Sequence, residues 1–262
     1  MNALIADAER ILRDCFASFR TLPNASLIDD GQVFGTITDV PISFFNGIAQ
    51  TRLDDPSHID RVIDIFRARS RGFRWWLTPS VQPTDLEIEL KARGFRYTYD
   101  ANGMVAHWRN VDLDAQPPRE LSIRRVMQAS DFQAYFYVFA TTFQRPLEEC
   151  DIWRDTLAHF GFDAESQWAH YVGYLGDEPV STTSVLHAGE LAGIYNVATL
   201  PHARGRGIGR AVTLAAMKEG HDRGADRAVL QSSEMGFGVY RALGFEDACE
   251  LRLYDWRPEY EG

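Results

Sequence analysis

The stretch Arg204-Gly205-Arg206-Gly207-Ile208-Gly209-Arg210 places glycine at every second position between arginines and one isoleucine, shortly after the mainly apolar run Val197-Ala198-Thr199-Leu200 and directly before a long amphipathic segment. A strand that runs into a glycine-rich turn opening a helix can hold an anion. Helix N-termini leave backbone N–H groups unpaired and carry about half a positive charge, so a pyrophosphate can be bound largely by main chain. The glycines let phosphate oxygens come close to the backbone, and Arg204, Arg206 and Arg210 can add charge-assisted hydrogen bonds. Two other phosphate motifs are excluded: Gly-x-x-x-x-Gly-Lys-Ser/Thr is absent, and Arg210 stands where a dinucleotide fingerprint needs its third glycine. Glycine-rich turns also occur as plain solvent loops, and the position between strand and helix argues against that reading.

Further along, Ser233 is followed by Tyr240 and then by Leu243-Gly244-Phe245. Together the two stretches resemble the GNAT superfamily of acyl-CoA N-acyltransferases. The motif Arg/Gln-x-x-Gly-x-Gly/Ala stands here as Arg204 to Gly209, and the second signature, Asn or Ser followed by Tyr and Leu-Gly-Phe, as Ser233 to Phe245. The resemblance covers about Leu121 to Trp256. It implies that acetyl-CoA is bound as acyl donor, with the pyrophosphate on Arg204 to Arg210. Pantetheine would enter between the strand ending in Val197, Ala198 and Thr199 and the strand Arg227 to Gln231. A backbone N–H near Val197 would polarise the thioester carbonyl. The acceptor amine would attack directly, so the three cysteines receive no catalytic role. Tyr240 falls at the place of the general acid that protonates the departing thiolate, although an aromatic packing role suits the same position. Ser233 would hydrogen-bond pantetheine or the thiol end, or else cap a helix.

The base that takes the amine proton is not legible. Glu148, Glu149, Glu190 and Glu234 are candidates, each with a solvated surface carboxylate as the plainer reading. Asn196 could orient the amine or a water. No His or carboxylate cluster has metal-ligand spacing, so no metal is expected.

The elements that position these residues follow from periodicity. Alternation predicts strands over Glu120–Val126, Trp168–Tyr174, Pro179–Leu186 and Leu191–Thr199. Helical spacing predicts helices over about 130–143, 147–160 and 207–223. Gly224 closes the last of these, a short apolar strand spans Arg227–Gln231, and a short helix spans Phe237–Leu243. Strand-like segments fill 245–256. The expected class is α/β (α+β): a mixed, mostly antiparallel sheet flanked by helices, as in the resembled family.

The first half echoes the second at an offset of about 150 residues. Arg74–Ser80 resembles Arg227–Ser233, Lys91–Phe95 resembles Arg241–Phe245, and Phe45–Ala49 resembles Tyr195–Thr199. Two tandem copies are therefore expected. Residues 1–111 form a degenerate GNAT-like domain with a structural or acceptor-pocket role, 112–119 a linker broken by Pro117-Pro118, and 120–262 the N-acetyltransferase domain. In the first copy Arg52-Leu53-Asp54-Asp55-Pro56-Ser57-His58 replaces the cradle without a glycine, and Leu90 replaces Tyr240.

With 27 basic against 37 acidic residues, the net charge is -10. An acidic surface repels phosphate backbones and anionic lipid, so neither nucleic acid nor membrane is an expected partner. The N-terminal segment has helical periodicity broken by charges, and no long apolar run occurs; with three widely spaced cysteines, a reducing cytoplasm is expected. The partner anticipated is a small-molecule amine, and a homodimer is possible in principle because a sheet edge can be covered by a second copy. Two other readings use the same cradle: a noncatalytic acyl-CoA-binding sensor or regulatory module, and an interaction protein with a vestigial site.

Overall fold

The computed structural model describes residues 2–261, which divide into two compact units. One comprises the residues up to Gly103 together with those from Ala248 on, the other Met104–Asp247.

In the first unit the elements are α1 (Ala3–Ser18), β1 (Ser26–Asp29), β2 (Val33–Ile37), β3 (Gly47–Thr51), α2 (His58–Ala68), β4 (Phe73–Leu77), α3 (Leu86–Ala92) and most of β5 (Arg96–His107). The strand order is β1-β2-β3-β4, then β11 (Glu246–Trp256), then β5. β1, β2 and β3 pair antiparallel, and β3 pairs parallel with β4 through Gly47↔Arg74 and Ile48↔Trp75. α2 buries Ile59, Val62, Ile63 and Phe66, a spacing of three and four that turns one face to the sheet. Phe66 stacks on Phe73 at 3.9 Å between ring centroids, and Phe73 in turn meets Trp256 at 5.5 Å.

The second unit contains β6 (Leu121–Arg125), α4 (Ala129–Thr142), α5 (Cys150–Ala158), β7 (Trp168–Leu175), β8 (Glu178–Ala188), β9 (Leu191–Thr199), α6 (Ile208–Asp222), β10 (Arg227–Ser232) and α7 (Glu234–Ala242). Its order is β5-β10-β9-β8-β7-β6, with β6 to β9 antiparallel and β9 parallel to β10. The expected strands and helices of this half are present. α7, however, begins three residues before the expected start at Phe237. α6 docks closely on β9 because Gly220 has no side chain: a Cβ there would stand 2.3 Å from that of Ala192.

Both halves of the chain run strand, helix, parallel strand, helix, strand: β3-α2-β4-α3-β5 and β9-α6-β10-α7-β11. The mixed, mostly antiparallel sheet flanked by helices is the expected fold class, and the repeated order is the expected tandem one.

Two expectations at the C-terminus are corrected. The strand-like segments of 245–256 are one continuous strand, and from Ala248 on that strand belongs to the first unit, where it pairs antiparallel with β4 from Arg252↔Leu77 to Trp256↔Phe73. The compact units therefore divide within β5 and β11 and not at 112–119. Packing is the reason. Met104 and Ala106 lie in one buried cluster with Ala228, Leu243 and Phe245, whereas Tyr254 and Trp256 lie in a cluster with Phe66, Phe73 and Trp75.

Trp256, wholly buried in that first cluster, carries the prediction. Trp256→Ala should cost about 3–5 kcal/mol of stability by cavity formation. Denaturant titration followed by far-UV circular dichroism would measure it, and a loss below about 1 kcal/mol would place the strand's end outside the core.

Candidate active site

β9 and β10 start as a parallel pair, Leu191↔Arg227, Ala192↔Ala228 and Gly193↔Val229, and their pairing stops there. Ile194–Thr199 and Leu230–Ser232 run on without each other. At the end of β9 the chain makes a short 3₁₀ turn over Pro201–Ala203, then Gly205 and Gly207 take left-handed φ of 75° and 74°, and α6 starts at Ile208. Gly207 is the N-cap. The first helical bond runs from the Ala211 N–H to the Gly207 carbonyl, so the preceding amides of the turn are the unpaired ones of a helix start. A Cβ on Gly205 would meet nothing within 4 Å, so open space lies where the cradle needs it.

The arginines of the cradle differ in their partners. Arg204 donates through Nε to the Thr199 carbonyl at 3.0 Å, which ties the turn to the end of β9. Arg206 pairs with Glu120 at 2.7 Å in a solvated bridge. Arg210 lines a cavity of about 380 Å³ together with Gly207, and Pro117, Pro118 and Arg119 form its other wall. The segment expected to be a linker thus stands against the cradle, a feature that its charges and prolines did not signal. Ile208 is buried with Leu121, Val180 and Ala211, so its side chain is core and only its backbone faces the turn.

Val197 belongs to a β-bulge, which Ala198 and Thr199 follow. Thr182 pairs with Ala198 and Ser184 with Tyr195, so Asn196 and Val197 together oppose Thr183. Asn196 has φ 53°, a left-handed conformation that asparagine tolerates better than most residues. Thr182 Oγ1 donates to the Asn196 carbonyl at 3.0 Å, and the Tyr135 hydroxyl hydrogen-bonds the Asn196 side chain. Tyr135 also meets Ser184 Oγ at 2.6 Å, and Ser184 meets His170 Nδ1 at 2.8 Å. Behind the bulge lies a buried polar chain that the sequence reading missed, since its members come from three separate elements. Ala198 and Thr199 are fixed from the β8 side by Ser181, whose hydroxyl donates to the Ala198 carbonyl at 2.6 Å.

Tyr240 and Ser233 lie beyond the end of β10, on the side of the diverging strands where the cradle stands. Val197, Phe237 and Tyr240 pack on the same buried cluster, and Tyr240 meets Phe245 at 5.8 Å between ring centroids. Burial pushes the Tyr240 phenol up to about 12, and its hydroxyl has no hydrogen-bond partner among the described residues. Gly236 makes room for the ring: a Cβ there would stand 2.7 Å from Tyr240 Cε2. Ser233 is the N-cap of α7, yet its side chain makes no capping bond.

Of the carboxylates, Glu149 accepts from the Trp153 indole at 3.1 Å and Glu234 sits exposed in the first turn of α7. Glu190 precedes β9, and at about 3.3 Å per strand residue it lies some 25–30 Å from the cradle end, which removes it as a base. Among the described residues no group of three or more His, Cys, Asp or Glu side chains is placed to hold a metal. No helix there is long and apolar enough to cross a membrane.

The first unit treats the same place differently. Its parallel pair also loses contact after Ile48↔Trp75, but the chain past β4 folds back to fill the gap. The Gln82 N–H donates to the Thr51 carbonyl at 3.2 Å, the Leu53 N–H to the Gln82 carbonyl at 2.8 Å, and the Trp75 indole to the Thr51 hydroxyl at 2.9 Å. Ahead of α2, Asp55 accepts from the Ser57 hydroxyl and N–H at 2.6 and 2.9 Å, bonds that hold its carboxyl below the usual range. A carboxylate of the chain itself stands at that helix start. Leu90 is wholly buried in the core.

The model of the acetyltransferase (GNAT) family matches residues 130–245, and the second unit carries a domain of that family. Solved structures with the same fold include a GCN5-related N-acetyltransferase from Kribbella flavida, 17% identical, with 96% of this chain and 95% of that one aligned at a TM-score of 0.72. A functionally unknown conserved protein from Staphylococcus epidermidis is 13% identical over 89% of this chain and 94% of that one, at a TM-score of 0.69. A tandem GNAT protein from the clavulanic acid biosynthesis pathway is 14% identical over 95% and 87%, at 0.58. Identities this low show a shared fold. No curated protein matches this chain.

Two histidines generate a pH prediction, His170 in the buried polar chain and His187 near the end of β8. Burial pushes the His170 pKa down to about 3, and burial together with Arg223 pushes that of His187 down to about 4. In the unfolded chain both titrate near 6.5. Below that value the unfolded state binds more protons, so stability present above pH 6.5 is lost as pH falls, at up to about 1.4 kcal/mol per pH unit for each histidine. The melting temperature should fall steadily from pH 6.5 to 4.5, and less steeply in His170→Asn. Melting that is flat across this window would show that these rings are protonated in the fold.

Proposed function

We propose that the second unit is an acetyl-CoA-dependent N-acetyltransferase that moves the acetyl group directly to a primary amine of a small-molecule acceptor. The observation that carries this reading is the divergence of β9 and β10 after three paired residues, with a glycine cradle at its mouth and an unpartnered phenol among the residues that follow β10. In this reading the pyrophosphate rests on the amides of Gly205, Gly207, Ile208 and Gly209. Arg206 and Arg210 add charge, while Arg204 fixes the turn. The pantetheine amides pair with the free edge of Val197, Ala198 and Thr199, and Ser233 donates near the thiol end. The cavity between Arg119 and Arg210 suits the nucleotide end.

In the chemical step the amine nitrogen attacks the thioester carbonyl carbon, and the oxyanion that forms is met by the backbone N–H at Val197. The C–N bond forms, the C–S bond breaks, and the sulfur takes a proton from Tyr240. The ammonium proton leaves to water or to a surface carboxylate, of which Glu234 stands nearest in sequence to the site. A phenol raised to about 12 stays protonated across the physiological range and has its proton ready for a thiolate. The protein would work in the cytoplasm. The first unit is the degenerate copy, closed to coenzyme by its own backbone and by Asp55.

Tyr240→Phe keeps the ring and removes the proton. Turnover should fall by roughly 10²–10⁴-fold while acetyl-CoA affinity stays within about twofold. Steady-state rates with an amine panel and thiol detection, beside calorimetry, make the comparison. Full turnover in the variant would return Tyr240 to packing and leave water as the proton donor; a coenzyme-binding protein without turnover on any amine would favour a noncatalytic sensor.

A further inference from the structure

We propose that the first unit holds a ligand site of its own, a polar cavity that takes a small zwitterion with an ammonium group and a carboxylate, as a free amino acid has. The cavity measures about 350 Å³, within the size range of small-molecule sites. It lies by the C-terminal ends of the parallel strands β3 and β4, the end at which open α/β sheets bind ligands.

Its charges carry the assignment. Glu9 on α1 lines the cavity and is 5% exposed. One carboxylate oxygen accepts the Ser80 N–H at 2.8 Å, and among the described residues no cation pairs with it. A carboxylate buried with a neutral donor alone is costly, and a ligand ammonium supplies the missing countercharge. Arg13, one turn further along α1, does not supply it: its guanidinium pairs with Asp29 at 3.5 Å and lies 4.1 Å over the Phe34 ring. Arg52 lines the same cavity from the end of β3, is exposed, and has no carboxylate partner among the described residues. Once Arg13 and Asp29 cancel, one negative charge is left inside and one positive charge at the rim. A zwitterion that enters ammonium first satisfies both, its carboxylate received by the Arg52 fork. The wall between them is already set, because Thr51 is fixed by the Trp75 indole at 2.9 Å. A phosphate ester is excluded by Glu9, and a plain amine leaves Arg52 unused.

The site stands independently of the transferase reading, and its test does not use turnover. The full chain is screened by thermal denaturation with the twenty common amino acids at millimolar concentration, followed by calorimetry on any that respond. At least one free amino acid should raise the melting temperature, and its Nα-acetyl and carboxamide derivatives should not. Glu9→Gln, which keeps an oxygen for the Ser80 N–H, should abolish the response. Arg52→Gln, at an exposed position that the fold does not need, should weaken binding by about tenfold. Circular dichroism and acetyl-CoA affinity, both expected to be unchanged, report whether each variant is folded. The proposal is overturned if no amino acid responds, if the Nα-acetyl derivative responds equally, or if binding is as tight in folded Glu9→Gln or Arg52→Gln as in the parent.

Discussion

Two parallel strands that separate leave a row of backbone N–H and C=O groups facing each other across a gap, and buried backbone groups must be paired. Each half of this protein contains such a separation, after Ile48↔Trp75 in one and after Gly193↔Val229 in the other. In the first unit the chain past β4 turns back and Gln82 bonds to both Thr51 and Leu53. In the second unit the chain past β10 runs directly into α7. The same geometric demand is thus met by chain in one copy, and in the other the proposed function meets it with the amides of the bound coenzyme.

The helix starts repeat the contrast. α6 begins with left-handed glycines and nothing where a Cβ on Gly205 would stand, whereas α2 begins with Asp55 hydrogen-bonded to Ser57. A helix start favours an anion in either case. One copy carries the anion as a side chain and the other has room for a phosphate. Behind the second gap, Tyr135, Ser184 and His170 hold the Asn196 bulge from within, and none of these buried groups is a candidate base.

The strand, turn and helix of the cradle were legible because local periodicity and glycine spacing encode them, and so was the tandem order, through matched short segments. The destination of β11 was not. An apolar strand such as Leu251–Trp256 states that it is buried but not against which neighbour, and its pairing with β4 spans some 180 positions of chain. The prolines at 117 and 118 read as a break between domains, although they stand beside Gly207, because a loop's tertiary contacts leave no period in the sequence. Gly236 passed unnoticed for the related reason that its role, room for the Tyr240 ring, exists only once the helix is formed.

The central claim is that one copy is open to coenzyme and the other is closed, and binding stoichiometry tests it most directly. Calorimetric titration of acetyl-CoA into the full chain should give one molecule bound per chain. In Gly207→Glu, which places a negative charge at the proposed pyrophosphate position, the signal should vanish while the circular dichroism spectrum is kept. Two coenzymes per chain, or undiminished binding in folded Gly207→Glu, would contradict the account.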